Sequence, residues 1–299
     1  MSILVVGSVA FDTVHTPFSK AERVLGGSAS YFSVSASFFS PVRLVAVVGE
    51  DFPNDYIEIL KMRKIDISGL TIAKGKTFFW EGRYELDFNN PKSISTCLNV
   101  FSNFSPFIPS TYKNSKYVFL ANISPYLQEK VLEQVNKPRL IASDTMNYWI
   151  DNEKEALVRL LKKVDIFFLN EMEAKKLTEE NNLVKAGNRI LKFGPKKIVI
   201  KRGEYGAILF SSDSKFYIPA FLLDNVVDPT GAGDTFAGGF MGYLASKKRL
   251  SESIFKEALI YGTIMASFIV EDFSLNRLLS IKKADISERI KEFKKLTSV

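Results

Sequence analysis

Short apolar segments recur along this chain with amphipathic stretches between them, and that alternation restricts the fold more than any other feature. Ile3–Gly7, Arg43–Gly49, Tyr117–Leu120, Arg139–Ala142, Asp165–Leu169 and Lys197–Lys201 read as buried strands. Helical patterns lie between several of them. Leu127, Val131 and Val135 fall four apart, Leu157, Leu160 and Leu161 form a second stripe, and Ala186–Phe193 a third. This rhythm predicts a parallel sheet with helices on both faces, a three-layer α/β/α sandwich with right-handed crossovers. Thr77–Asn99 interrupts it. Aromatic and polar residues partly alternate from Thr77 to Asp87, as in a half-exposed antiparallel hairpin. Such a piece is a candidate β-sheet lid over a site, the alternative being an edge extension of the main sheet. No repeat, low-complexity tract or linker divides residues 1–299, so one domain is expected, mostly helical from Ser251 on, with a charged surface helix at Ser287–Leu296.

Composition narrows the function. The net charge is +7, but the basic residues are spread along the chain, and runs such as Leu183–Lys197 read as solvated helix faces. Nucleic acid is therefore not an expected partner. One cysteine, Cys97, forbids an internal disulfide framework and fits a reducing compartment. With a single histidine, His15, read as a surface or strand-end residue, neither a His/Cys zinc site nor a His-centred triad is expected. No run of about 18 apolar residues is present, and the N-terminus lacks the basic region and cleavage site of a signal peptide. A cytoplasmic location without membrane contact is expected.

The stretch richest in chemistry is Asp228-Pro229-Thr230-Gly231-Ala232-Gly233-Asp234-Thr235-Phe236. Phe236, Phe240 and Leu244 recur every four residues, which predicts a helix starting near Gly231. Glycines at a helix start turn the backbone tightly and present unpaired N–H groups at the positive end of the dipole, an anion site. Asp234 follows at once. A lone Asp there is usually a cap or a dipole partner, but beside a phosphate site it can take the proton from an attacking hydroxyl. The chain has no G-x-x-x-x-G-K-S/T loop, and Gly7 does not open a G-x-G-x-x-G. Asp12 follows the first strand, where ligands of α/β sheets gather. Gly26-Gly27 precedes a helical stretch, Ser28–Phe39. Asn170 and Glu173 follow the strand Asp165–Leu169, where they suit either a hydrated Mg²⁺ or a plain helix cap.

The run Asp228–Gly239 resembles the C-terminal signature of the ribokinase or PfkB carbohydrate kinase family, and other motifs follow in that family's order. Gly26-Gly27 matches its N-terminal glycine pair, Asp12 its substrate aspartate, Asn170-Glu171-Met172-Glu173 its N-x-x-E and Gly203-Glu204-Tyr205-Gly206 its G-x-x-G nucleotide loop. The resemblance implies a ribokinase-like fold with lid segments near 10–25 and 75–105. It implies Asp234 as base, with Gly231, Ala232 and Gly233 steadying the transferred phosphoryl. Asp12, Gly26 and Gly27 would hold the substrate, and Asn170, Lys201, Gly203, Gly206 and Thr230 the nucleotide. Glu173 would hold Mg²⁺ through water, and Asp228, with Thr230, a monovalent cation such as K⁺. ATP, a small-molecule substrate and a homodimer through the lid complete it. Tyr31 stands where the family has a sugar-contacting Asn, and Phe78-Phe79-Trp80 and Met146-Asn147-Tyr148-Trp149 are unlike the best-known sugar kinases. Transfer of the γ-phosphoryl of ATP to the primary hydroxyl of a sugar is the expectation, with a nucleoside kinase of the same fold as the alternative. A non-catalytic ligand sensor is disfavoured by the intact Asp234 and its glycines.

Overall fold

Alternate residues of the first strand, β1 (Ile3–Val6), enter different cores: Ile3 and Val5 one, Leu4 and Val6 the other. Both faces of the strand are covered, so none of its four residues is polar. The computed structural model describes residues 1–86, 88 and 91–298. Positions 87, 89 and 90 of the hairpin read from the sequence lie outside the described residues.

Twelve further strands follow β1: β2 (Ala10–His15), β3 (Lys20–Gly26), β4 (Val42–Gly49), β5 (Ile65–Ala73), β6 (Phe78–Arg83), β7 (Lys92–Cys97), β8 (Tyr117–Leu120), β9 (Leu140–Ser143), β10 (Ile166–Asn170), β11 (Lys197–Lys201), β12 (Ala207–Ser211) and β13 (Lys215–Ile218). Nine form one sheet in the order β13-β12-β11-β10-β9-β8-β1-β4-β5. Its pairs from β5 to β11 are all parallel, and β12 and β13 add antiparallel. Parallel strands end on one edge, so residues that follow β1, β9, β10 and β11 meet there. Helices Ser28–Ser37, Ala232–Ser246 and Glu252–Ile269 cover one face, and Lys154–Leu161, Glu171–Thr178 and Leu183–Leu191 the other. Phe240 is fully buried against Phe168 of β10, ring centroids 5.2 Å apart. Burial of such a side chain contributes about 1.5–3 kcal/mol and seats the helix that begins at Ala232.

The remaining strands form a smaller, separate sheet, β3-β2-β6-β7. β6 and β7 pair antiparallel, and β6 also pairs parallel with β2, Asp12 opposite Trp80. The hairpin thus joins residues 10–26 and does not extend the main sheet. His15 ends β2 and its Nε2 lies 2.8 Å from Glu81 Oε1 on β6.

Candidate active site

Helix Ala232–Ser246 starts from Gly231, which has φ 75°, a left-handed conformation that costs a side-chain-bearing residue. A methyl group there would also lie 2.5 Å from the Tyr31 ring. The turn is held from below by Asp228, whose Oδ1 accepts the Thr230 N–H at 2.8 Å. Asp228 is buried; the Ser274 N–H lies near enough to its carboxylate to favour the ionised form, but its Oδ2 makes no close hydrogen bond among the described residues. Thr230 Oγ1 lies 3.2 Å from the hydroxyl of Tyr84, which follows β6. The segment that leaves the smaller sheet after β6 therefore touches the glycine turn.

Asp12 sits within β2 and is buried, with its Oδ2 accepting from the Tyr31 hydroxyl at 3.3 Å. Gly26 brings its backbone so close that an added methyl would lie 2.0 Å from that oxygen. Gly27, with φ 92°, caps the helix that carries Tyr31. Tyr31 thus bridges the two halves of the site, its hydroxyl on Asp12 and its ring on the Gly231 turn. The other aromatic residues singled out in the sequence pack elsewhere. Phe78 stacks on Phe101, Trp80 lies over Gly82 and donates to Ser93 Oγ, and Trp149 donates to Asn122 Oδ1.

A third group lies along the carboxyl edge of the main sheet. Lys201 ends β11 and donates to Asp144 Oδ2 at 2.7 Å. A methyl group on Gly233 would stand 3.0 Å from the Lys201 ammonium, so this cation faces the first turn of the helix. Glu173 is buried nearby and forms a reciprocal cap with Asn170: Glu173 N–H donates to Asn170 Oδ1 at 2.8 Å, and Asn170 N–H to Glu173 Oε2 at 2.7 Å. The pair is a capping box, and any metal role comes in addition to that. Gly203 and Gly206 bracket a 3₁₀ turn directly after Arg202, which follows Lys201 at the end of β11. Asp144 and Tyr84 are the two residues of this site that sequence reasoning passed over. Asp144 carried one usable signal, an acid just beyond the carboxyl end of a buried strand.

Burial is the first cause of perturbed acidity here. It pushes Asp12 from its ordinary 3.8 to about 7, with Tyr31 opposing. Asp234 also rises to about 7, by burial and then repulsion from Asp144, against the pull of Lys201. Glu173 rises to about 7 in the same way, with Lys201 opposing. Each acid binds a proton more tightly in the folded chain than in the unfolded one. That stability is complete below about pH 4 and is lost as pH rises through about 7. The ligand-free protein should therefore melt at progressively lower temperature between pH 5 and pH 8, a range in which ordinary carboxylates are already ionised. A flat melting profile over that range would contradict these environments.

Phosphoryl transfer to a hydroxyl is the chemistry such an edge supports, and the class is that of phosphotransferases with alcohol acceptors. The chain belongs to the pfkB family of carbohydrate kinases, whose family model matches residues 2–280. The cytidine kinase of Thermococcus kodakarensis is 29% identical over 259 residues, covering 85% of this chain and 92% of that protein. Among solved structures, the Methanocaldococcus jannaschii nucleoside kinase matches with a TM-score of 0.78 at 22% identity, over 97% of this chain and 98% of that one. A putative ribokinase II from E. coli, in complex with ATP and Mg²⁺, matches with a TM-score of 0.82 at 19% identity, over 97% and 99%. Likeness at these identities shows the ribokinase-like fold.

Proposed function

We propose that this kinase transfers the γ-phosphoryl of ATP to the primary hydroxyl of a small sugar or sugar-like substrate, with Asp234 as the base. The observation that carries the reading is the position of Asp234 in the first turn of a helix opened by the left-handed Gly231, with Lys201 alongside. In this reading the acceptor docks its hydroxyls on Asp12 and on the backbone at Gly26-Gly27. Asp234 removes the proton from the attacking oxygen. The N–H groups of Gly231 and Gly233 and the Lys201 ammonium steady the charge on the phosphoryl, the Ala232 N–H expected to join them being taken by the Pro229 carbonyl at 3.1 Å, so catalysis is positioning plus electrostatics. The smaller sheet acts as a lid, supported by the contact of Tyr84 with Thr230. Thr230, Gly203 and Gly206 are assigned to the nucleotide on the family resemblance, as are a homodimer through the smaller sheet and a cytoplasmic location. Among the described residues no helix is long and apolar enough to cross a membrane.

Two cations fit the residues present. Among the described residues no three Asp, Glu, His or Cys side chains could together hold a metal. Glu173 and Asn170 would accordingly hold Mg²⁺ through its waters, the phosphates supplying the rest. Bound there, Mg²⁺ would neutralise charge on the phosphates. The unpartnered, buried Oδ2 of Asp228 suits a monovalent cation such as K⁺.

A nucleoside is the second reading of the acceptor, favoured by the similarity to the Thermococcus cytidine kinase. The packing of Trp80, Phe79 and Tyr31, the aromatics that could flank a base, against protein partners favours a free sugar. A panel of pentoses, hexoses, inositols and nucleosides, assayed for ADP release with ATP and Mg²⁺, decides between them. Turnover of a sugar without nucleosides is the expected result. Turnover of nucleosides alone would replace it with the second reading, and no ADP release above the acceptor-free blank would remove both.

A further inference from the structure

Asp144 belongs to none of the motifs above, and its carboxylate so far has no task. It lies just beyond β9, with its side chain 4% exposed. Both of its oxygens are taken: Oδ1 by the Thr145 N–H at 2.9 Å, Oδ2 by the Lys201 ammonium at 2.7 Å. Its own carbonyl lies 3.1 Å from Nε2 of the fully buried Gln128, whose two protons are shared between it and the Leu120 and Ala121 carbonyls at the end of β8. The acid is thus fixed from the backbone outward. Lys201 is attached to β11, and β10 lies between that strand and β9. The ion pair therefore reaches across the carboxyl end of β10, a span of about two strand spacings, ~9–10 Å.

A buried ion pair is a poor way to stabilise a fold, because removing two charges from water costs about as much as their attraction returns. A lysine stem is long and loses rotamer freedom when held. What this pair secures is the place of the ammonium, which faces Gly233 at the helix start.

We propose that Asp144 is a positioning residue that clamps Lys201 across the end of β10, so that its ammonium already stands at the Gly231–Gly233 turn when the phosphates of the nucleotide arrive. The proposal rests on the reading of that turn as the phosphate site. A cation fixed beforehand needs no rearrangement on binding, which is why such groups are effective toward developing negative charge.

Positioning and simple charge predict opposite results for one substitution. Asp144→Asn removes a negative charge from an anion site and keeps an oxygen for the Thr145 N–H. On charge alone ATP should bind more tightly. If Asp144 clamps Lys201, ATP should bind more weakly, by about 10–100-fold in Kd, the scale of one charge-assisted hydrogen bond. Calorimetric titration of the full chain with ATP and Mg²⁺, without acceptor, reads this directly. Lys201→Met should weaken binding to a similar extent, and the double variant no further than the worse single one, because both substitutions undo one contact. Asp144→Glu keeps the charge pair but lengthens it by a methylene. It serves if the Asn variant does not fold, and is expected to weaken binding less than Lys201→Met does. Unchanged or tighter binding in the folded Asp144 variants, or losses that add in the double variant, would overturn the clamp. A wild type that fails to bind ATP would instead remove the phosphate-site reading beneath it.

Discussion

Asp234→Asn is expected to lower kcat by ~10²–10⁴-fold, the usual contribution of a general base, with ATP affinity little changed. The amide keeps the size of the side chain and can still hydrogen-bond, but cannot hold the proton of an attacking hydroxyl. The charge state of the wild-type acid supplies a second signature. Burial and Asp144 bring Asp234 to about 7, and only its ionised form is a base. Activity measured as kcat/KM should therefore climb as pH rises through about 7. Calorimetry with ATP and Mg²⁺, paired with steady-state rates from pH 5.5 to 8.5, separates the two effects. An Asn variant that turns over at the wild-type rate would remove Asp234 from the chemistry.

Gly26→Ala should be nearly as damaging to activity, and by a different route. Its methyl would lie 2.0 Å from Asp12 Oδ2 and 2.1 Å from Asp12 Cγ, so the carboxylate must move. Asp12 has little freedom to do so, being buried and tied to Tyr31. Misplacing a substrate-holding group by about 1 Å costs on the order of 10²-fold in rate, and the loss should fall mainly on the acceptor's KM. Gly27→Ala makes the control. There the methyl would meet the Ser8 carbonyl oxygen at 2.5 Å, and φ is 92°. Backbone cannot swing aside, so this variant should lose thermal stability before it loses substrate affinity. Equal effects of the two substitutions on melting temperature, with no KM change in the first, would mean that Gly26 serves only the turn.

Where the sequence announced the structure, the signal was local. Strands β1, β4, β8, β9, β10 and β11 were legible because both faces are buried and nearly every residue is apolar. Strand β5 was not, since Asp66, Ser68, Gly69 and Thr71 interrupt its apolar residues and leave no continuous apolar run, in keeping with its mostly unburied positions. β13 at the other edge escaped for a similar reason, Lys215 and Tyr217 being exposed; β12 was passed over although Ala207, Leu209 and Phe210 are buried. The hairpin beginning at Thr77 was legible from its alternation, but its pairing with β2 was not, because nothing local encodes which edge a strand will choose. In the site, the helix at Ala232 and its acid could be read from Gly231 to Leu244 alone. The partnership of Asp144 with Lys201 could not, since 57 residues separate them and only the parallel order of the sheet brings them together. Tyr31 shows the same limit. From the chain it is only a departure from the family's Asn, whereas in the fold its hydroxyl meets Asp12 and its ring the Gly231 turn.

The smaller sheet enters the chain in two instalments, β2–β3 between β1 and helix Ser28–Ser37, and β6–β7 between β5 and the 3₁₀ helix Asn99–Asn103. Six residue pairs, from Ala10 opposite Phe78 to His15 opposite Arg83, join the instalments. Neither could persist by itself. A single hairpin is marginal in water, and an orphaned β2 would present an open edge to other chains. The two insertions are thus interdependent: a shortened descendant of this protein could dispense with both or with neither, and a graft of one onto another scaffold would have to bring its counterpart from more than fifty residues away.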